Sequence, residues 1–351
     1  MNHQTYLKVV LCVVPLILAT LGLTAHAQTP AATRTAFLKL IDRPRVPLAP
    51  EVKKMEATTG LEQWHFSYAA EAEQRVPGLL VKTAKATGRR PVVISLHGTG
   101  GTKESQLALL NEVAQLGFIG IAIDGRYHGE RTKTGKGSAE YSAAMLRTYR
   151  TGKEHPFLYD TVWDVMRLLD YLATRDDVDA QRIALIGFSK GGMETYLTAA
   201  VDSRVAVAVP FIGVQSFRWA LENNSWQSRV GTFQDAINAA AKDEGVTEIK
   251  ADFVGKFYER VMPGIADRFD GPAMLPLIAP RPLLVINGEI DPRTPMPGLL
   301  ECVENARQAY RKAKAEEKFA FQIQPKTGHA VTAAARQQAI AWLRKWLQPQ
   351  L

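Results

Sequence analysis

Cysteine is nearly absent: the 351-residue chain holds two, Cys12 and Cys302. Cys12 lies inside an N-terminal apolar run, so a chain that loses this run keeps Cys302 alone and can form no internal disulfide. The fold must then rest on its apolar core rather than on cross-links. Cys302 falls in a helical pattern with no histidine near it in sequence, which argues for a buried helix-face residue and not a reactive thiol. No HExxH or paired-cysteine pattern occurs, and the histidines are scattered. That excludes the usual metal signatures, and no cofactor is implied. The stretch "GTGGTK", residues 98–103, lacks the spacing of a phosphate-cradling loop, and "GKGS", residues 135–138, follows no strand-like run. A one-sided basic stripe is missing as well. The formal charge is +8, but the densest basic stretch, Arg307 to Lys318, also contains Glu316 and Glu317. Mixed charge of that kind makes a solvated helix face, and nucleic acid is not expected as a partner.

What is present begins with a targeting segment. Lys8 closes a short polar start, an apolar stretch runs from Val9 to Leu23, and Ala25-His26-Ala27 supplies a small-x-small cleavage site. The apolar stretch is shorter than the roughly 20 residues of a membrane span and is interrupted by Pro15. Residues 1–27 are therefore expected to be a signal peptide, removed on export to the periplasm or the medium. No stable membrane anchor would remain after cleavage; an uncleaved anchor is the alternative. The remaining residues suffice for one large α/β domain or two small ones.

From about residue 60 short β-branched runs alternate with longer helical patterns. Residues 63–68 and 78–82 read as an antiparallel pair. Residues 91–96 (PVVISL), 118–123, 182–186, 205–210, 283–287 and 320–324 read as strands, several of them apolar enough to be buried on both faces. Helical patterns fill 104–116, 157–174, 191–200, 299–314 and 333–346, the second with Val162, Val165, Met166, Leu169 and Leu172 at helical spacing. Such alternation implies a mostly parallel, doubly wound sheet. The rhythm breaks between residues 214 and 279, a helix-forming, aromatic-rich stretch read as an inserted helical cap. Residues 28–59 form an N-terminal extension and 60–351 the main domain.

In an open parallel sheet, ligands gather beyond the carboxyl ends of the strands, so the polar residues just after each strand matter most. After residues 91–96 comes His97-Gly98-Thr99-Gly100-Gly101. After 182–186 comes Gly187-Phe188-Ser189-Lys190-Gly191. After 283–287 stands Gly288-Glu289-Ile290-Asp291-Pro292, and after 320–324 stands Thr327-Gly328-His329. A serine, an aspartate and a histidine thus reach one edge in the chain order Ser, Asp, His, that of the α/β-hydrolase fold. Ser189 is the candidate nucleophile, on a turn so sharp that Gly187 and Gly191 must be small. His329 is the candidate general base and Asp291 its orienting acid. Asp124 and Glu289 are rival acids; His97 and His128 are rival bases, the first more suited to bracing the glycine loop, the second to packing within its own loop. For the oxyanion hole the Lys190 amide supplies one donor and the Thr99 amide the other, with Gly98 as the fallback. Lys190 enters through its backbone, so its side chain has no required chemistry.

With these residues in view the chain resembles the α/β-hydrolase superfamily, in the branch of acetyl-xylan-esterase-like, dienelactone-hydrolase-like and prolyl-oligopeptidase catalytic domains. The resemblance runs from about residue 60 to the end. It rests on "DGRYHGER" (124–131), "YDTVWDVMRLLDYLATRDDVDAQRIALIGFSKGGMET" (159–195) and "APRPLLVINGEIDPRTP" (279–295). It implies the fold and the triad but not the substrate. Dienelactone hydrolases use a cysteine nucleophile where this chain has Ser189.

The expected activity is that of an exported serine hydrolase of carboxylic esters, with short acyl groups, including O-acetyl on carbohydrate, as candidate substrates. Trp219 and Trp226 of the cap are either substrate contacts or cap core. A serine peptidase of the prolyl-oligopeptidase kind is the alternative, although such enzymes usually carry a large N-terminal propeller. A non-catalytic binding protein on the same scaffold is the third reading, weakened because all triad members are present.

Overall fold

The β-branched runs pair into a nine-stranded sheet, seen in a computed structural model that describes residues 29–84, 87–153 and 158–349. The segment expected to be a signal peptide lies outside the described residues. The strands are β1 (Glu51–Met55), β2 (Leu61–Glu71), β3 (Gln74–Thr83), β4 (Arg90–Leu96), β5 (Ile119–Ile123), β6 (Val178–Phe188), β7 (Val205–Phe211), β8 (Leu283–Gly288) and β9 (Phe319–Gln324). Their spatial order is β1-β2-β3-β5-β4-β6-β7-β8-β9. β1, β2 and β3 pair antiparallel, as does β3 with β5; all pairs from β5 across to β9 are parallel. This is the doubly wound α/β-hydrolase arrangement the sequence implied.

The helices are α1 (Pro30–Ile41), α2 (Leu107–Gln115), α3 (Gly137–Thr151), α4 (Tyr159–Leu172), α5 (Lys190–Val201), α6 (Phe217–Glu222), α7 (Gln227–Val230), α8 (Gln234–Asp243), α9 (Ala251–Val261), α10 (Gly271–Met274), α11 (Met296–Lys312) and α12 (Ala333–Leu347). Every residue of β4 is buried, because it is covered on both sides. Val92, Ile94 and Leu96 meet the cluster built with α1, α4, α5 and α11, while Val93 meets the one built with α2 and α12. A continuous apolar run rather than an alternating one is what two covered faces require. The long connection between β7 and β8 holds α6 to α10, whose Phe217, Phe233, Phe253, Phe257 and Tyr258 join the first cluster.

Three elements were not expected. β1 is exposed at every position and so carries no apolar alternation to read. α1 occupies part of the stretch expected only as an extension, yet Phe37 and Ile41 are core residues. α3 buries tyrosines, Ser142 and Thr148 along with Ala144 and Met145, a stripe too polar to signal a helix face.

α4 also departs from a simple amphipathic helix: Asp160, Asp164 and Arg167 are buried with its apolar residues. Each finds a partner. Arg126 reaches Asp164 at 3.0 Å and Arg131 reaches it at 2.6 Å, while Arg43 pairs with Asp160 and Arg126 with Glu71. "DGRYHGER", the loop after β5, is thereby pinned to α4 and to the end of β2, and Arg43 before β1 is tied to the same two. Burial alone would raise the Asp164 pKa, but Arg126 and Arg131 outweigh it and bring the pKa to about 2. A depressed carboxylate contributes stability that is full above its unfolded pKa near 4 and is lost as pH falls through its folded value. Asp164→Asn, by leaving two buried cations without their shared anion, is expected to cost about 3–5 kcal/mol in urea melts at pH 7. It should also flatten the acid loss of stability between about pH 4 and pH 2 by about 2 kcal/mol relative to wild type. An unchanged acid slope would show that Asp164 is not the titrating group.

Candidate active site

The end of β6 runs directly into α5, and Ser189 stands at the junction with φ of +56° and ψ of −111°. A positive φ is costly for a residue with a side chain and persists only where its surroundings impose it. Here they do: the Ser189 amide donates to the Phe211 carbonyl at 3.0 Å, and its carbonyl accepts from the Met193 amide at 3.1 Å. The flanking glycines are steric necessities. A Cβ on Gly191 would stand 2.2 Å from the Leu96 carbonyl oxygen, and one on Gly187 2.1 Å from the Gly191 carbonyl oxygen.

Asp291 and His329 come from the turns after β8 and β9. Those turns meet across Gly288, where a Cβ would stand 2.2 Å from the Gly328 carbonyl oxygen. The Ile290 amide donates to the Thr327 carbonyl, and the side chains of Asn287 and Thr294 bond each other across the acid turn. The result is a continuous hydrogen-bonded line. His329 Nε2 lies 2.8 Å from Ser189 Oγ, and His329 Nδ1 lies 2.8 and 3.0 Å from the two Asp291 carboxylate oxygens. The Arg293 amide also donates to Asp291, at 2.8 Å. Burial would raise the Asp291 pKa, but His329, the Arg293 amide and Thr294 together hold it below the ordinary carboxylate value.

The rivals are occupied elsewhere. Asp124 accepts from the Lys103 amide, the Lys103 ammonium and the Glu130 amide. Glu289 accepts from the Lys326 amide. Thr99 is half-exposed on the loop after β4, and Gly98 of that loop abuts Ser189: a Cβ on it would lie 3.5 Å from the Ser189 Cβ. Of the two tryptophans, Trp226 is 9% exposed and packed in the main apolar cluster, as cap core. Trp219 is half-buried against Gly298 of α11. Cys302 is wholly buried and donates to the Gly298 carbonyl, and among the described residues no cluster of histidine, cysteine and carboxylates could hold a metal.

Residues 38–244 match the family model of acetyl xylan esterase (AXE1). The chain belongs to this family. YtaP of Bacillus subtilis (strain 168), a proposed hydrolase, is 28% identical over 287 residues, covering 78% of this chain and 84% of its own length. Acetyl xylan esterase 1 from Thermoanaerobacterium sp. JW/SL YS485 superposes with a TM-score of 0.66 at 17% identity, covering 90% of this chain and 93% of that one. The acetyl xylan esterase from Paenibacillus sp. R4 gives 0.61 at 19% identity, covering 90% and 92%. At such identities the structural likeness establishes the fold, and the family match makes the chain a hydrolase of an esterase family.

In this family member, buried polar groups behind Ser189 fix the loops on which it depends. The His97 ring spans two of them: Nδ1 is 2.8 Å from the Gly98 carbonyl, and Nε2 accepts from the Gly125 amide at 3.0 Å. Accepting at Nε2 requires the neutral ring, and burial, with Lys190 and His128 nearby, holds its pKa well below the ordinary value. His128 donates from Nδ1 to the Arg126 carbonyl; burial and Lys190 bring its pKa down to about 3. The Lys190 side chain, left without a role by sequence reasoning, is 2% exposed and pairs with the equally buried Glu194 at 2.5 Å. Lys103 is also fully buried and meets Asp124 at 2.9 Å and Glu130 at 2.6 Å, tying the loop after β4 to the loop after β5. Lys190 and Glu194 stand four residues apart on α5, a spacing that allows the pair but says nothing of its burial. No spacing rule pointed to the Lys103 pairs, which join separate loops through the interior.

Lys190→Ala is expected to cost about 3–5 kcal/mol in stability by stranding Glu194, and Lys190→Met with Glu194→Leu to recover most of it; equal losses in both variants would argue against the pair. A buried neutral histidine favours folding less as pH drops below its unfolded pKa, about 6.5, because only the unfolded state takes up the proton. His128→Asn should therefore lessen the slope of stability against pH by about 1.4 kcal/mol per pH unit between about pH 6 and pH 4. An identical slope in wild type and variant would mean that His128 is charged in the folded state.

Proposed function

We propose that this chain is an exported serine hydrolase that cleaves short-acyl carboxylic esters, O-acetyl groups on carbohydrate among them, through an acyl-enzyme on Ser189. The observation that carries the reading is the unbroken line from Asp291 through His329 to Ser189, with 2.8 Å at each junction. Family membership agrees with the ester class.

Ser189 Oγ attacks the acyl carbonyl as its proton passes to His329 Nε2. Asp291 holds Nδ1 protonated and compensates the imidazolium. The negative charge that develops on the carbonyl oxygen faces the first turn of α5, where backbone amides have no partner within the helix. The Lys190 amide and an amide of the glycine loop, Thr99 or Gly98, are the proposed donors. Collapse expels the alcohol with the proton from His329, leaving the acyl group on Oγ. Water then repeats the sequence and frees the acid. α6 to α10 form the proposed cap, with Trp219 at its edge as the remaining candidate for substrate contact.

The test uses purified mature protein, a series of p-nitrophenyl esters from acetate to octanoate, acetylated xylan, and a chromogenic prolyl peptide. Turnover should be highest on the shortest esters, and fluorophosphonate should label one site. Ser189→Ala should lose the label and about a thousandfold or more in kcat/KM while melting like wild type. Peptide cleavage without ester turnover would transfer the reading to a peptidase. Wild-type rates in Ser189→Ala would remove it.

A further inference from the structure

Arg229 on α7 is one of the largest fully buried side chains of the protein, 2% exposed. Buried guanidinium groups normally face a carboxylate. Among the described residues this one forms no ion pair: its Nε and one terminal nitrogen donate to Gln215 Oε1 at 3.1 and 2.9 Å, and that same nitrogen donates to the Arg293 carbonyl at 3.1 Å. Burial accordingly brings its pKa down to about 10, against which Tyr258 and Asp291 are the leading opposing influences. The nearby anion that favours its charge is thus the acid of the Ser189–His329–Asp291 line.

The contacts on either side explain why an arginine stands here. Arg293 is bound twice: its carbonyl accepts from Arg229, and its amide donates to Asp291 Oδ1 at 2.8 Å. Asp291 in turn receives His329 Nδ1. At the other end, Gln215 is held at its own backbone, whose carbonyl oxygen lies 2.2 Å from the position a Cβ on Gly271 would take. Among the described residues Gln215 Nε2 is buried with no partner, so Arg229 provides the hydrogen bonds this amide makes through its oxygen. A rigid fork can bond Gln215 and the Arg293 carbonyl at once, whereas an ammonium delivers a point charge with no fixed direction.

We infer that Arg229 is a positioning residue of the active site, clamping the Asp291–Arg293 turn to the β7–β8 connection so that the Asp291 carboxylate stays aligned with His329. This rests on the triad reading above and adds to it a member from outside the three turns. The clamp also joins the proposed cap to the chemistry: displacement of α7 moves the backbone that orients the acid.

The test compares wild type with Arg229→Lys, Arg229→Met and the double variant Arg229→Met/Gln215→Leu, the last of which leaves neither a buried cation nor a buried amide. Each is measured for kcat and KM on p-nitrophenyl acetate, for the rate of fluorophosphonate labelling of Ser189, and for thermal unfolding. Misalignment of a catalytic group by about 1 Å can cost up to about a hundredfold in rate. The expected result is a fall in kcat and labelling rate of about ten- to a hundredfold in both methionine variants, with KM within about twofold of wild type and a partial recovery in Arg229→Lys. A folded double variant with wild-type kcat, or a loss confined to KM, would overturn the positioning role. Should the methionine variants fail to fold, Arg229→Lys decides: a wild-type kcat in it would show that the fork is not needed. A wild type in which Ser189 neither labels nor turns over ester would defeat the triad reading and the clamp together. Ester turnover with unaltered Arg229 variants would defeat the clamp alone.

Discussion

The carbonyl oxygen of Leu96 lies 2.2 Å from where a Cβ on Gly191 would stand, and this close passage of α5 beneath the end of β4 fixes the geometry of the whole site. A bulkier residue would push α5 away from the sheet. The N-terminus of α5 would then no longer face the loop after β4, and Ser189 would lose its position between them. The same economy of space recurs at Gly288, where the turns carrying Asp291 and His329 come together. Two steric contacts, one at Ser189 and one between the turns of Asp291 and His329, set the distances over which the hydrogen bonds operate. The bonds refine an arrangement that packing has already brought within reach.

Around these contacts the chain places charge where apolar residues would be the default. Lys103 with Asp124, Lys190 with Glu194, and Arg126 and Arg131 with Asp164 are buried pairs. Such pairs contribute little net stability, since desolvation offsets most of the attraction, while leaving one partner alone is strongly unfavourable. Their effect is to penalise alternative loop conformations. Each joins elements that border the active site: the loop after β4 to the loop after β5, the first turn of α5 to its second, and the loop after β5 to α4. His97 acts in the same sense with a neutral ring, whose two nitrogens discriminate one register of the glycine loop from any other.

Much of this was legible in the sequence, and the reasons are specific. The strands of the parallel region are buried on both faces, so their apolar runs are continuous and bounded by glycine and proline. The residues after those runs can be read as a list of what reaches one edge. Ser189, Asp291 and His329 were found that way, without any measure of distance. β1 escaped because it is exposed at every position, α3 because hydroxylated residues interrupt its buried stripe, and α1 because its core contacts rest on little more than Phe37 and Ile41, too few to make a periodic apolar signal. The Lys190 side chain and Arg229 escaped for a different reason. Each is a charged residue fully enclosed by the fold, and a sequence gives such residues the same appearance as surface ones. Trp226 illustrates the converse: an aromatic residue in the inserted stretch that packs as core.

The positive φ of Ser189 has a consequence for how this chain can vary. Backbone strain of this kind is worth of order 1–3 kcal/mol, and it is held at the residue proposed to do the chemistry. Glycine at that position would relax it, removing the hydroxyl at the same time. A population of variants selected only for folding would therefore drift toward chains without a hydroxyl at residue 189. Under the proposed chemistry, the hydroxyl at residue 189 is held at the expense of stability, the trade a strained reactive position makes.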